Sequence, residues 1–304
     1  MSSKVRIVEM GPRDGLQNEK QPVATETKLE LIHRLARAGL KDIEATAFVS
    51  PKWVPQMADH LAVMAGLKSM TGVNLPVLTP NIKGFEAAAA AGAREVAVFA
   101  SASEAFSQRN INCSVAESLE RFEPILAMAS KMGIRVRGYV SCAVACPYDG
   151  PIEPEQVAQV AADMLDMGCY EISVADTIGV GTPRSVVRML EHVARRVPVE
   201  QLAGHYHDTF GMGVVNVHAS YQFGLRIFDS SIAGLGGCPY AKGATGNVAT
   251  EDVVYLLHGI GADTGTDLDA LVEVGEWISQ SLDRRSSSSV GRAFIARRAV
   301  SGNA

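Results

Sequence analysis

The chain has 304 residues, 47% of them hydrophobic, and a formal net charge of −5 spread along its length. That is room for two average domains or one α/β barrel, without the basic footprint of a nucleic-acid binder and without a run of about 18 apolar residues to cross a membrane. The opening MSSKVRIVEMGPRDG has no apolar signal core and no Arg- and Ser-rich leader, so a cytoplasmic protein is expected.

Short apolar runs alternate with longer amphipathic stretches. Strands are expected at 5–10, 42–48, 75–79, 95–101, 135–141, 171–176, 202–208 and 227–234. Helices are expected at 26–38, 54–68, 84–92, 115–132, 154–167, 183–196, 212–223 and 248–258. Thr182-Pro183 offers a cap followed by proline at the first helical position, and Pro154-Glu155 opens another helix in a similar way. Gly39, Gly92, Gly133, Gly168 and Gly224 stand where helices need a left-handed terminus. Eight strand–helix units imply parallel pairing with right-handed crossovers, hence a closed (β/α)8 TIM barrel. A doubly wound sheet is the alternative, but no G-x-G-x-x-G follows the first strand. A further helix at about 267–283 extends the barrel, giving a catalytic domain over 1–284. The polar segment 285–304 is expected to be a disordered tail.

Chemistry in such barrels sits at the C-terminal ends of the strands. The first strand ends in EMGPRDGLQ, with Arg13, Asp14 and Gln17; the second carries Glu44; the sixth ends in Asp176. The seventh, LAGHYHD, places His205 and His207 on one side, because residues i and i+2 of a strand share a face. After the eighth comes GLGGCPYAKGATGN, with Cys238 and Asn247. Each has a bland reading: core histidines satisfied by backbone, a helix-capping role for Asp176 or Asp208, a salt bridge for Arg13 or Glu44, a small loop residue for Cys238. Charged groups at several strand ends of one barrel are costly unless paired or metal-bound, so together they favour an active site.

Two imidazoles, a carboxylate and a carboxamide make a mixed N/O donor set, which suits Mg²⁺ or Mn²⁺ with room for water or substrate. Asp14, His205 and His207 are the stronger ligands and Asn247 the weaker addition, with Glu44 orienting a ligand or Arg13. Cys238 lies among Gly234, Gly236, Gly237, Gly243 and Gly246, a density suited to a loop that closes over substrate. A neutral thiol can deliver a proton there, so an acid role is preferred to a covalent one. The five cysteines, Cys113, Cys142, Cys146, Cys169 and Cys238, are irregularly spaced, unlike a secreted disulfide framework. Cys142 and Cys146 are expected in the core or at a strand end.

The segments GPRDGLQNEK, EATAFVSPKWVPQMADH, VADTIGVGTP, HYHDTFG and GLGGCPYAKGATGNVATEDVVYLL resemble the 3-hydroxy-3-methylglutaryl-CoA lyase family over about residues 5–283. The resemblance implies a TIM barrel with a divalent cation held by Asp14, His205, His207 and Asn247. It implies Arg13 on the thioester carbonyl, Cys238 as the catalytic thiol of a mobile loop, and Glu44 and Asp176 in the acid–base and orientation network, with Gln17 beside the substrate. The expected activity is cleavage of 3-hydroxy-3-methylglutaryl-CoA to acetoacetate and acetyl-CoA. The alternatives are a lyase for a related branched 3-hydroxyacyl-CoA, or a Claisen-type acyl transferase running the other way. Lys20, Lys52 and Lys242 could pair with coenzyme A phosphates or simply be solvated. The expected partner is an acyl-CoA substrate, with no nucleic acid and no membrane, and symmetric assembly gives a homodimer as the default.

Overall fold

The computed structural model describes residues 3–237 and 246–301. Strands β1 (Arg6–Glu9), β2 (Asp42–Ile43), β3 (Thr46–Ala47), β4 (Val77–Leu78), β5 (Glu95–Ser101), β6 (Arg135–Ser141), β9 (Glu171–Asp176), β10 (Leu202–Tyr206) and β11 (Ile227–Ser230) form one sheet in the order β2-β1-β11-β10-β9-β6-β5-β4-β3. A short hairpin of β7 (Ala145–Cys146) and β8 (Gly150–Pro151) stands apart. All pairs in the large sheet are parallel. Its two ends, β2 and β3, are halves of one stretch interrupted at Glu44 and Ala45. The sheet therefore closes into the expected eight-stave barrel.

Helices α1 (Thr25–Arg37), α2 (His60–Gly66), α3 (Ile82–Ala90), α4 (Glu104–Ile111), α5 (Val115–Met132), α6 (Pro154–Asp166), α7 (Pro183–Val193), α8 (Gly213–Phe223) and α9 (Thr250–Gly259) accompany the strands, and α10 (Leu268–Ser281) and α11 (Ser289–Ser301) follow. Local chemistry fixes their ends. Ser114 and Glu117 form a reciprocal capping box at α5, and Gly133 ends that helix at φ 66°, a conformation that costs a residue with a side chain more. Thr182 and Ser185 cap α7 ahead of Pro183.

Three expectations need correcting. The helix expected at 54–68 is a 3₁₀ turn, Pro55–Met57, followed by the short α2, with Lys28 Nζ and the His60 ring on the Gln56 and Met57 carbonyls that a continuous helix would use. The second is α4, a helix that the expected set does not contain; Ser103 Oγ caps it by accepting from Phe106 N. The third is the tail, whose residues 289–301 form α11 rather than a disordered segment. Its start is held from a distance: Asp252 on α9 accepts from Ser288 Oγ, Ser289 N and Val290 N. Cys142 and Cys146 are buried, as expected. No described helix is long and apolar enough to cross a membrane.

Candidate metal-assisted active site

The first strand leads into a single turn of π-helix, Gly11–Gly15, which carries Arg13 and Asp14. Such wide turns recur at functional sites because they re-aim side chains. Arg13 is nearly buried and doubly held: Nε donates to Glu44 Oε2 at 2.6 Å, and a terminal nitrogen donates to Asp14 Oδ1 at 2.8 Å. Glu44 comes from the break between β2 and β3 and is fully buried. Its other oxygen accepts from Tyr139 Oη at 3.2 Å. Glu44 thus holds the Arg13 guanidinium from the strand break. Burial pushes its pKa up despite the opposing charge of Arg13.

Asp14, from the turn after β1, and His205 and His207, at the end of β10 and just past it, come together with ligand-type atoms within 4.8 Å of one another. The two imidazole rings are 5.4 Å apart, as expected for i and i+2 on one strand face. Burial alone would raise the Asp14 pKa, but Arg13, the two histidines and Asn247 outweigh it and hold it at about 2. Burial, and the neighbouring His205, push His207 down to about 4 against the pull of Asp14. A carboxylate and a neutral imidazole are the forms that bind a cation. His207 Nδ1 is buried and has no hydrogen-bond partner among the described residues. That orphaned atom and the N/O donor set fit a divalent ion. Asn247 joins the cluster through Nδ2, which donates to Asp14 Oδ2 at 2.7 Å, and its backbone bridges to His207.

Asp176 ends β9, next to Tyr206 in the sheet register. Its Oδ2 accepts from Gly181 N at 2.7 Å, while Oδ1 is buried without a partner among the described residues. Burial raises its pKa to about 6, only partly opposed by backbone N–H groups of the loop. Gln17 Oε1 is likewise buried and unpaired among the described residues. Asp208, by contrast, does cap: its Oδ1 accepts from Gly213 N at the start of α8. Lys20 and Lys52 are exposed, and Lys52 lies over the Trp53 ring.

Cys238 and Lys242 lie outside the described residues, which resume at Gly246 after Gly237. Asn18 Nδ2 donates to Gly237 O at 2.8 Å, and Asn247 Nδ2 reaches Leu235 O at 3.3 Å. Gly236 and Gly246 pass so closely that a Cβ on Gly246, whose φ is +93°, would sit 2.6 Å from the Gly236 carbonyl carbon. Gly237 and Asn247, on either side of residues 238–245, are thus hydrogen-bonded to Asn18 and Asp14.

Sequence reasoning missed the layer beneath. Arg137 on β6 donates to both oxygens of Asp229 on β11, at 2.8 and 3.1 Å. Asp229 also accepts from Ser173 Oγ at 2.7 Å and lies 3.2 Å from His205 Nδ1. Burial opposes its ionisation, yet Arg137 and His205 hold its pKa well below the usual carboxylate range. The available signal was a charged residue inside each of two apolar strands, RVRGYVS and IFDS.

The profile of the HMGL-like family matches residues 4–278. The chain is 57% identical over 297 residues to a 3-hydroxy-3-isohexenylglutaryl-CoA/hydroxymethylglutaryl-CoA lyase of Pseudomonas aeruginosa, covering 98% of this chain and 99% of that one. It is 58% identical over 290 residues to the mitochondrial hydroxymethylglutaryl-CoA lyase of Bos taurus, covering 95% and 89%. The crystal structure of hydroxymethylglutaryl-CoA lyase from Pseudomonas aeruginosa superposes with a TM-score of 0.95 at 56% identity, over 98% of this chain and 99% of that one. With the barrel and its mouth described, the conclusion is direct: this chain belongs to the HMGL-like family.

Proposed function

We propose that this chain is a carbon–carbon lyase that cleaves 3-hydroxy-3-methylglutaryl-CoA to acetoacetate and acetyl-CoA. The observation that carries this reading is the convergence of Arg13, Asp14, His205 and His207 at one barrel mouth, in a chain matched to such lyases along its length.

Asp14, His205 and His207, with Asn247, would hold Mg²⁺ or Mn²⁺. When bound, such an ion supplies Lewis acidity that lowers the pKa of the substrate's tertiary hydroxyl and orients it. A carboxylate takes the hydroxyl proton. Asp14 at about 2 is a weak base, whereas Asp176 at about 6 with an unpaired Oδ1 is better matched to the task. The C2–C3 bond then breaks, C3 becomes the ketone carbon of acetoacetate, and the electron pair moves onto the thioester as an enolate. Arg13, pre-aimed by Glu44, donates to the developing oxyanion without having to reorganise. Cys238, in the role implied by family resemblance, delivers its thiol proton to C2 to give acetyl-CoA. Gln17 offers its carboxamide to the substrate. The proposal includes a homodimer, testable by light scattering, and a cytoplasmic setting, in keeping with the free thiols of Cys113, Cys142, Cys146 and Cys169.

The test is release of acetoacetate and acetyl-CoA from 3-hydroxy-3-methylglutaryl-CoA with Mg²⁺ and with chelator. Fast cleavage that chelator abolishes is expected. Cleavage indifferent to chelator would remove the metal from this account. The name of the Pseudomonas aeruginosa relative favours including a second substrate, 3-hydroxy-3-isohexenylglutaryl-CoA. Turnover of that compound alone would move the assignment to the longer-branched acyl-CoA.

A further inference from the structure

His205 and His207 differ in what faces their Nδ1 atoms. His207 Nδ1 has no partner among the described residues. His205 Nδ1 faces Asp229 Oδ2 at 3.2 Å, and the parallel register sets these two residues side by side on β10 and β11. Asp229 cannot easily turn away. Arg137 grips both of its oxygens and Ser173 Oγ donates to Oδ2, all within the buried barrel interior. Arg137 is fixed in turn by Glu171 at 2.7 Å and by Tyr139 Oη at 3.0 Å.

We propose that Asp229 is a positioning residue for the cation site, locking His205 in the tautomer that presents Nε2 to the ion. An ionised carboxylate is an acceptor only, so the imidazole facing it places its proton on Nδ1. The lone pair then stands on Nε2, at the opposite corner of the ring, and the hydrogen bond also fixes the ring's rotation. Strands β6, β9 and β11 thus act on the cation site through one carboxylate, although none of them supplies a ligand. This inference rests on the cation-site reading above.

The bland alternative is that Asp229 only neutralises Arg137 inside the barrel. Two measurements separate the readings. In ¹⁵N-histidine-labelled, chelator-treated protein, with the His205 signals assigned by their loss in His205→Gln, the Nδ1–H tautomer is expected. An Nε2–H tautomer overturns the inference. Titration with Mn²⁺ alone, followed by electron paramagnetic resonance, gives the affinity. Asp229→Asn should weaken it about 10- to 100-fold. Ser173→Ala, which removes one hydrogen bond to Asp229 but leaves the Arg137–Asp229 pair intact, should weaken it about 3-fold, less than the loss of the charge does. A folded Asp229→Asn protein with wild-type Mn²⁺ affinity overturns the inference alone. Wild-type protein that binds no Mn²⁺ overturns the cation site, and this inference with it. Should Asp229→Asn fail to fold, Ser173→Ala and the wild-type tautomer decide.

Discussion

At the N-terminal end of the barrel, Arg6 pairs with Asp42 and Glu171, Asn74 bridges Asp42 to Glu95, and Glu95 receives Arg135 and the Tyr170 hydroxyl. At the C-terminal end the side chains are as polar, but their hydrogen-bonding capacity is not used up. His207 Nδ1, Asp176 Oδ1 and Gln17 Oε1 are buried without partners among the described residues, and the ligand-type atoms of Asp14, His205 and His207 crowd into one small volume. A buried polar atom left unpaired costs about 1–3 kcal/mol, so a fold keeps several together only where something else meets them. The two ends teach that charge alone does not mark function. Leftover bonding capacity does.

The sharpest way to break this comparison is to remove a charge at each end. Asp14→Asn should lower turnover about 10³-fold, the equivalent of about 4 kcal/mol of lost electrostatic help. Its melting midpoint in chelator should stay within about 4 °C of the parent, the shift that about 1 kcal/mol makes in a large domain. Steady-state kinetics with a parallel thermal scan check both, and turnover within tenfold of the parent would contradict the assignment. Glu95→Gln, at the other end, should reverse the pattern. It should cost about 2 kcal/mol of stability in urea, because Asn74, Tyr170 and Arg135 lose a charged acceptor, while turnover per folded molecule holds.

Between these lie two acids whose ionisation burial opposes. Glu251 accepts from Ala233 N with both oxygens, at 3.0 and 3.1 Å, and burial pushes its pKa up to about 8. Burial likewise raises Glu9 to about 7, although Thr250, Ile232 and Gly11 all donate to it. Both hold the turn at Ile232–Gly234. A folded-state pKa above the unfolded value gives stability that is full at low pH and is lost as pH rises through the folded pKa. Between pH 5 and 9 these two carboxyls should therefore cost several kcal/mol of stability, at about 1.4 kcal/mol per pH unit while each stays protonated only in the folded state. Glu251→Gln should flatten part of that slope in a series of urea midpoints. A slope unchanged by the substitution would mean that Glu251 is already ionised.

How much of this the sequence disclosed follows from the range of the interactions. The strands and most helices were readable because period, caps and glycine termini are local, as at Ser114, Thr182 and Gly133. Asp14, His205 and His207 were readable because the barrel rule converts strand ends into one place. Asp229 was not, since its meaning comes from Arg137, 92 residues away, and from His205, 24 residues away. The interruption of the second stave at Glu44 was also invisible. It depends on Arg13 and Tyr139 drawing the carboxylate inward.

The tail gives the smallest effect and the last test of the comparison, because its ion pairs are exposed rather than buried. Arg298 on α11 meets Asp269 at 2.7 Å and Glu273 at 3.0 Å on α10, with all three side chains at least 41% exposed. Water screens such pairs and the long side chains lose freedom in forming them, so Arg298→Ala should change stability by no more than about 0.5 kcal/mol. Asp252→Ala is different in kind. It removes the acceptor for Ser288 Oγ and for two backbone N–H groups at the start of α11, a loss of about 1 kcal/mol. Hydrogen exchange should therefore quicken across 289–301 in Asp252→Ala and barely change in Arg298→Ala. The reverse order would mean that the exposed ion pairs, not the cap, fasten this helix, and that the loose tail suggested by its polar sequence fails for a reason other than the distant carboxylate.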